Sequence, residues 1–151
     1  MKILVTGGAG FIGKYLVRSL LENDDSVTVF DNISNSTKDS VSSLVDIGAK
    51  VIEGDITKPM DIQNAVKDQD IVIHLAAKIS VSESISNPSE TFRVNVDGTR
   101  NVLTACEKNY VKKLIVSSSA AVYGESSSNV KLTEESKTNP ISPYGESKVK
   151  M

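Results

Sequence analysis

The β-prone run Lys2-Ile3-Leu4-Val5-Thr6 ends on Gly7-Gly8-Ala9-Gly10-Phe11-Ile12-Gly13 and passes directly into a segment whose Ile12, Tyr15, Leu16, Ser19 and Leu20 share one helical face. That order demands a strand turning sharply into a helix. Gly7 permits the tight turn, Gly10 leaves the backbone bare for a pyrophosphate, and Gly13 lets the helix lie close to the strand. The N–H groups and positive dipole end of the helix then favour phosphate charge. Asp31 stands 18 residues after Gly13 at the end of the next apolar run, where a carboxylate accepts hydrogen bonds from ribose hydroxyls. A carboxylate there repels a 2′-phosphate. No arginine stands beside it and Lys38 is the one nearby cation, so the expected cofactor is NAD rather than NADP.

The rest of the chain repeats the alternation. Strands are expected over Lys2–Thr6, Ser26–Asp31, Lys50–Glu53, Asp70–Leu75 and Lys113–Ser117, each rich in Val, Ile and Leu as in strands buried on both faces. Helices are expected over Phe11–Leu21, Asp39–Ile47 and Pro59–Lys67, with a long one over Pro88–Lys108 carried by Phe92, Val96, Thr99, Leu103 and Cys106. Right-handed crossovers make this a doubly wound, parallel α/β sheet of the Rossmann-like kind, one domain over residues 1–151. Gly124 to Asn139 reads as a surface loop.

Composition removes other classes. A net charge of −2 without single-sign blocks argues against nucleic acid or an anionic membrane as partner, and no run of 18 apolar residues occurs. Cys106 and His74 are the only cysteine and histidine, so neither a disulfide nor a Cys/His metal site is expected, and a reducing cytoplasm is the default. His74 is read as a core histidine and Cys106 as packing.

Ser142 can cap, and Pro143 can start, a helix that carries Tyr144 and Lys148 four residues apart on one face. A phenol beside an ammonium and a helix start is suited to act as a base on a hydroxyl group. Ser119, at the carboxyl end of the fifth strand, can hydrogen-bond the reacting oxygen. Ser119, Tyr144 and Lys148 are therefore the candidate catalytic residues.

The spacing Gly7, Gly10, Gly13 resembles that of short-chain dehydrogenases/reductases. Asp31-Asn32-Ile33-Ser34, Gly54-Asp55-Ile56, His74-Leu75-Ala76-Ala77, Asn95-Val96-Asp97-Gly98-Thr99, Ser117 to Gly124 and Ser142 to Lys148 are similar, in order, to the extended, nucleotide-sugar branch: the NAD-dependent epimerase/dehydratase family. The resemblance implies that Phe11, Ile12 and Asn32 join the glycines and Asp31 around the cofactor. It implies that Asp55 and Ile56 hold adenine, that Leu75, Ala76 and Ala77 line the pyrophosphate and ribose, and that Asn95 lies beneath the cofactor. Lys148 would also bind the nicotinamide ribose, beside Tyr144.

Within that family, 4,6-dehydratases carry an Asp-Glu pair directly after the position of Ser119, and here Ala120 and Ala121 stand there. The expected activity is therefore 4-epimerisation of a nucleotide sugar, of the UDP-hexose class, by oxidation to a 4-keto sugar and re-reduction. A dehydratase or reductase is the alternative, as is a module that binds NAD(H) without turnover. Ile79 replaces a lysine of the best-known UDP-galactose epimerases, which leaves the sugar open. The resemblance further implies a homodimer. Members continue well past the position of Met151, so the chain is expected to be an incomplete cofactor domain lacking the substrate domain.

Overall fold

The computed structural model describes residues 1–125 and 131–151. Part of the loop expected over Gly124–Asn139, residues 126–130, lies outside the described residues. The chain divides into two compact units, Met1–Ala76 with Asn101–Ser117, and Ala77–Arg100 with Ser118–Met151.

The first unit holds strands β1 (Lys2–Thr6), β2 (Ser26–Asp31), β3 (Lys50–Glu53), β4 (Ile71–His74) and β5 (Lys113–Val116), and helices α1 (Phe11–Glu22), α2 (Lys38–Asp46) and α3 (Pro59–Ala65). All neighbours pair in parallel in the order β3-β2-β1-β4-β5, with Val5 opposite Val29 on one side and Ile73 on the other. The order reverses on either side of β1, so the connections leaving β1 and β4 diverge at their carboxyl ends, the place where open α/β sheets take ligands. Ile3, Val5, Val17, Val27, Val29 and Leu44 form the buried core here. Such side chains contribute roughly 1.5–3 kcal/mol each when fully removed from water.

Thr37 starts α2 by accepting from the Ser40 N–H at 3.2 Å, and Pro59 starts α3, where its missing N–H costs nothing. The strand and helix order matches the sequence expectation, with ends differing by one or two residues. The two outer strands are not buried on both faces as the others are: β3 and β5 are the edges of the sheet, with Lys50, Glu53, Ile115 and Val116 exposed.

The second unit is built from α4 (Val81–Ser86), α5 (Pro88–Phe92), a π-helical turn (Arg93–Gly98), a 3-10 turn (Ala120–Val122) and α7 (Pro143–Lys150). Helix α6 (Thr99–Lys108) follows the π turn. The single helix expected over 88–108 is thus split. Its wide turn carries Asn95 inward to complete burial, and the Thr99 hydroxyl donates to the Asn95 carbonyl. Helix α4 is absent from the sequence reading. Its polar Val-Ser-Glu-Ser-Ile-Ser has little apolar periodicity; the Ser80 hydroxyl caps its start by accepting from the Glu83 N–H.

Candidate functional site

The first unit brings a glycine-rich turn to the carboxyl end of β1. Gly7 has φ +69°, donates to the Phe30 carbonyl at 2.8 Å, and sits so near the β4 exit that an added Cβ would lie 2.7 Å from the Ala76 nitrogen. At Gly13 an added Cβ would lie 2.5 Å from the Gly7 oxygen, so α1 rests directly on the loop. Gly10 differs: its Cβ would meet only the Gly7 oxygen, at 3.2 Å. Gly10 caps α1 with no side chain and the first turn holds no acid, which leaves helix N–H groups without a protein carboxylate. Phe11 and Ile12 are exposed beside it, Phe11 edge-on to Tyr15 at 5.6 Å. A glycine loop open at Gly10, against an uncapped helix, fits a bound diphosphate.

Asp31 closes the rim of this loop. Its Oδ2 accepts from the Ala9 N–H at 3.0 Å and its Oδ1 from the Ile33 N–H at 2.9 Å. Each oxygen keeps a further lone pair for a ligand hydroxyl. Asn32 is turned to its own chain, accepting from the Ser34 N–H and hydroxyl. Asp55 likewise accepts from the Thr57 N–H and hydroxyl, both at 2.8 Å, while the carbonyl of buried Ile56 accepts from the Asn101 amide at 3.0 Å. Beyond β4, the Leu75 N–H donates to the Thr6 carbonyl and the Ala76 N–H to the Thr6 hydroxyl. That hydroxyl also bonds buried His74 at Nδ1, so His74 is core, as its sequence position suggests.

The second unit gathers Ser119, Tyr144 and Lys148 onto two adjoining pieces. Ser119 starts the 3-10 turn, its hydroxyl accepting from the Ala121 N–H at 3.2 Å and keeping its proton to donate. Helix α7 packs on that turn through Gly145, where an added Cβ would lie 2.7 Å from the Ala121 oxygen. Ser142 caps α7 by accepting from the Gly145 N–H at 3.1 Å. Tyr144 is half-buried at the helix start, and Lys148, one turn on, is 7% exposed. Asn95 is fully buried, donating to the Lys78 carbonyl and the Ser147 hydroxyl and accepting from the Lys78 N–H at 2.8 Å. Both its amide hydrogens are held inside the protein. Ala77, half-buried, precedes Lys78, whose backbone Asn95 holds.

Burial pushes the Lys148 ammonium below the usual lysine pKa. The unfolded chain therefore binds the proton more tightly, and stability rises with pH between the folded and unfolded values; below the folded value the penalty is complete. In the alkaline range the melting temperature of the native chain, by calorimetry without ligand, should accordingly gain more with rising pH than that of a Lys148→Met chain, and equal dependence on pH would contradict it.

Among the described residues no group of three His, Cys, Asp or Glu side chains could hold a metal, and no helix is long and apolar enough to cross a membrane. Sequence reasoning missed Ser84, Ser147 and the packing role of Gly145. Ser84 and Ser147 lie in polar segments, and their partners are distant in sequence.

A parallel sheet with a glycine loop at its order reversal, an acidic residue ending β2 and a Ser-Tyr-Lys set defines a Rossmann-like protein of the dinucleotide-binding class. Residues 3–151 match the NAD dependent epimerase/dehydratase family. The chain belongs to that family. It is 39% identical to the UDP-glucose 4-epimerase of Lactobacillus helveticus, over 100% of this chain and 45% of the relative. The structure of the UDP-Glc/GlcNAc 4-epimerase from Campylobacter jejuni superposes with a TM-score of 0.92 at 36% identity, over 99% of this chain and 46% of that one. The Thermus thermophilus UDP-glucose 4-epimerase in complex with NAD gives 0.91 at 35% identity, over 98% and 47%. The chain therefore spans about half the length of these relatives.

Proposed function

We propose that this chain is the NAD-binding part of a nucleotide-sugar 4-epimerase acting on a UDP-hexose. The observation that carries the reading is helix α7, bearing Tyr144 and Lys148, seated through Gly145 on the turn that begins with Ser119 and continues with two alanines. The glycine loop and the α1 start would hold the diphosphate, Asp31 the adenosine ribose, Asp55 and Ile56 the adenine edge, and Lys148 the second ribose. Phe11, Ile12, Asn32, Leu75, Ala76 and Ala77 line that binding, and Asn95 supports it by fixing Lys78. When bound, NAD accepts and returns the electrons and hydrogen exchanged at the sugar carbon.

The chain's own residues handle the proton. Tyr144 takes the proton of the sugar hydroxyl and later gives it back. Ser119 donates a hydrogen bond to the same oxygen, its hydroxyl oriented by the Ala121 N–H. Ala120 and Ala121 offer no acid or base for water loss, so the keto sugar is returned to the alcohol from its other face. Homodimerisation and residence in the cytoplasm belong to the same reading and rest on the family likeness.

Incubating the full-length protein with UDP-galactose and NAD should yield UDP-glucose; accumulation of a 4-keto-6-deoxy sugar would overturn the assignment. NADH should bind more tightly than NADPH, by fluorescence titration. Asp31→Ala removes two charge-assisted acceptors of roughly 1.5–3 kcal/mol each, and its affinity for NADH should fall by about a hundredfold or more. Unchanged affinity would remove Asp31 from the site.

A further inference from the structure

The geometry points to Ser84 as a positioning residue that sets the catalytic tyrosine through its backbone; this rests on the functional reading above. Tyr144 is the second residue of α7, where a helix leaves its N–H without an internal partner. Pro143 has no N–H, and the Ser142 cap is taken by Gly145. The Tyr144 N–H donates instead to the Ser84 hydroxyl at 3.1 Å, from a residue 60 positions earlier in α4. Ser84 is fully buried, and its own proton goes to the Val81 carbonyl at 2.6 Å. The hydroxyl therefore presents a lone pair, not a proton, to Tyr144.

The carbonyl side of Tyr144 is held in the same manner. The Ser147 hydroxyl donates to the Tyr144 carbonyl at 2.7 Å while accepting from the Asn95 amide at 2.8 Å. Both peptide groups of Tyr144 are thus tied to buried hydroxyls whose donor and acceptor directions are assigned by their second partners. A phenol that must meet a sugar hydroxyl within hydrogen-bond reach is sensitive to displacements of about 1 Å, which can cost on the order of a hundredfold in rate. Ser84 touches neither substrate nor cofactor in this account; it acts through the start of α7.

The test uses the full-length protein with UDP-galactose and NAD. Ser84→Ala should lower kcat about tenfold or more with KM and NAD affinity within about twofold. Ser84→Thr, which restores the hydroxyl, should recover at least half of the native kcat. If Ser84→Ala does not accumulate as folded protein, Ser84→Cys, which keeps the branching of the side chain and weakens the acceptor, is read by the same criteria. A variant with native kcat, or one whose losses in KM and kcat are equal and are not recovered by threonine, overturns the inference. Tyr144→Phe separates the two readings. If it turns over normally the functional reading fails, whereas if it is inactive while Ser84→Ala is native, only the role of Ser84 fails.

Discussion

Tyr144→Phe is expected to lower kcat for UDP-galactose by about a thousandfold, within the range that positioned proton transfer supplies, while leaving NAD affinity within a few-fold. The substitution deletes one oxygen. It leaves untouched what holds the helix: the Ser142 cap, the Ser84 bond to the Tyr144 N–H, and the seat of Gly145 on Ala121 all involve backbone or other side chains. Loss of turnover therefore reports on the phenol. Under the proposed function Ser119→Ala should cost less, about a hundredfold, because it would remove one hydrogen bond to the reacting oxygen and also uncaps the 3-10 turn. Steady-state kinetics on both variants and the double variant give the check. Residues that act as one unit lose less together than the sum of their separate losses, so additive losses would mean that Ser119 and Tyr144 do not serve the same step.

Much of this was legible in the sequence because the signals are local. Gly7, Gly10 and Gly13 act within one turn of chain, and Asp31 follows at the end of the next strand, so spacing alone placed them. The Tyr144–Lys148 pair and its Ser142-Pro143 start are likewise contained in one helix. The contacts that orient the site were not legible, since they join segments far apart in the chain. Ser84 reaches across 60 residues to Tyr144, and Asn95 across 52 to Ser147. The π turn that brings Asn95 inside also interrupts a helical repeat that reads as unbroken. Asn95 carries its importance through Lys78 and Ser147, which a residue-type pattern does not convey.

Gly10→Ala and Gly13→Ala should both abolish useful NAD binding, weakening it by about a hundredfold or more, yet only Gly13→Ala should damage the fold. At Gly13 the new methyl would press on backbone, 2.5 Å from the Gly7 oxygen and 2.6 Å from the Gly8 Cα. No rotamer relieves that contact, so α1 must withdraw from β1, against the packing of Val17 in the core. Overpacking of this kind costs about 1–3 kcal/mol. It outweighs the gain of about 1 kcal/mol from replacing glycine by alanine inside a helix. At Gly10 the methyl meets only the Gly7 oxygen at 3.2 Å, and the penalty is that of a poorer cap, below about 1 kcal/mol. Its effect falls on the ligand, because the methyl occupies the side from which a diphosphate approaches the backbone. Urea midpoints and NAD titrations on the two variants therefore separate packing from binding. If Gly10→Ala binds NAD as the native chain does, the diphosphate does not lie over this loop, and the cofactor assignment falls with it.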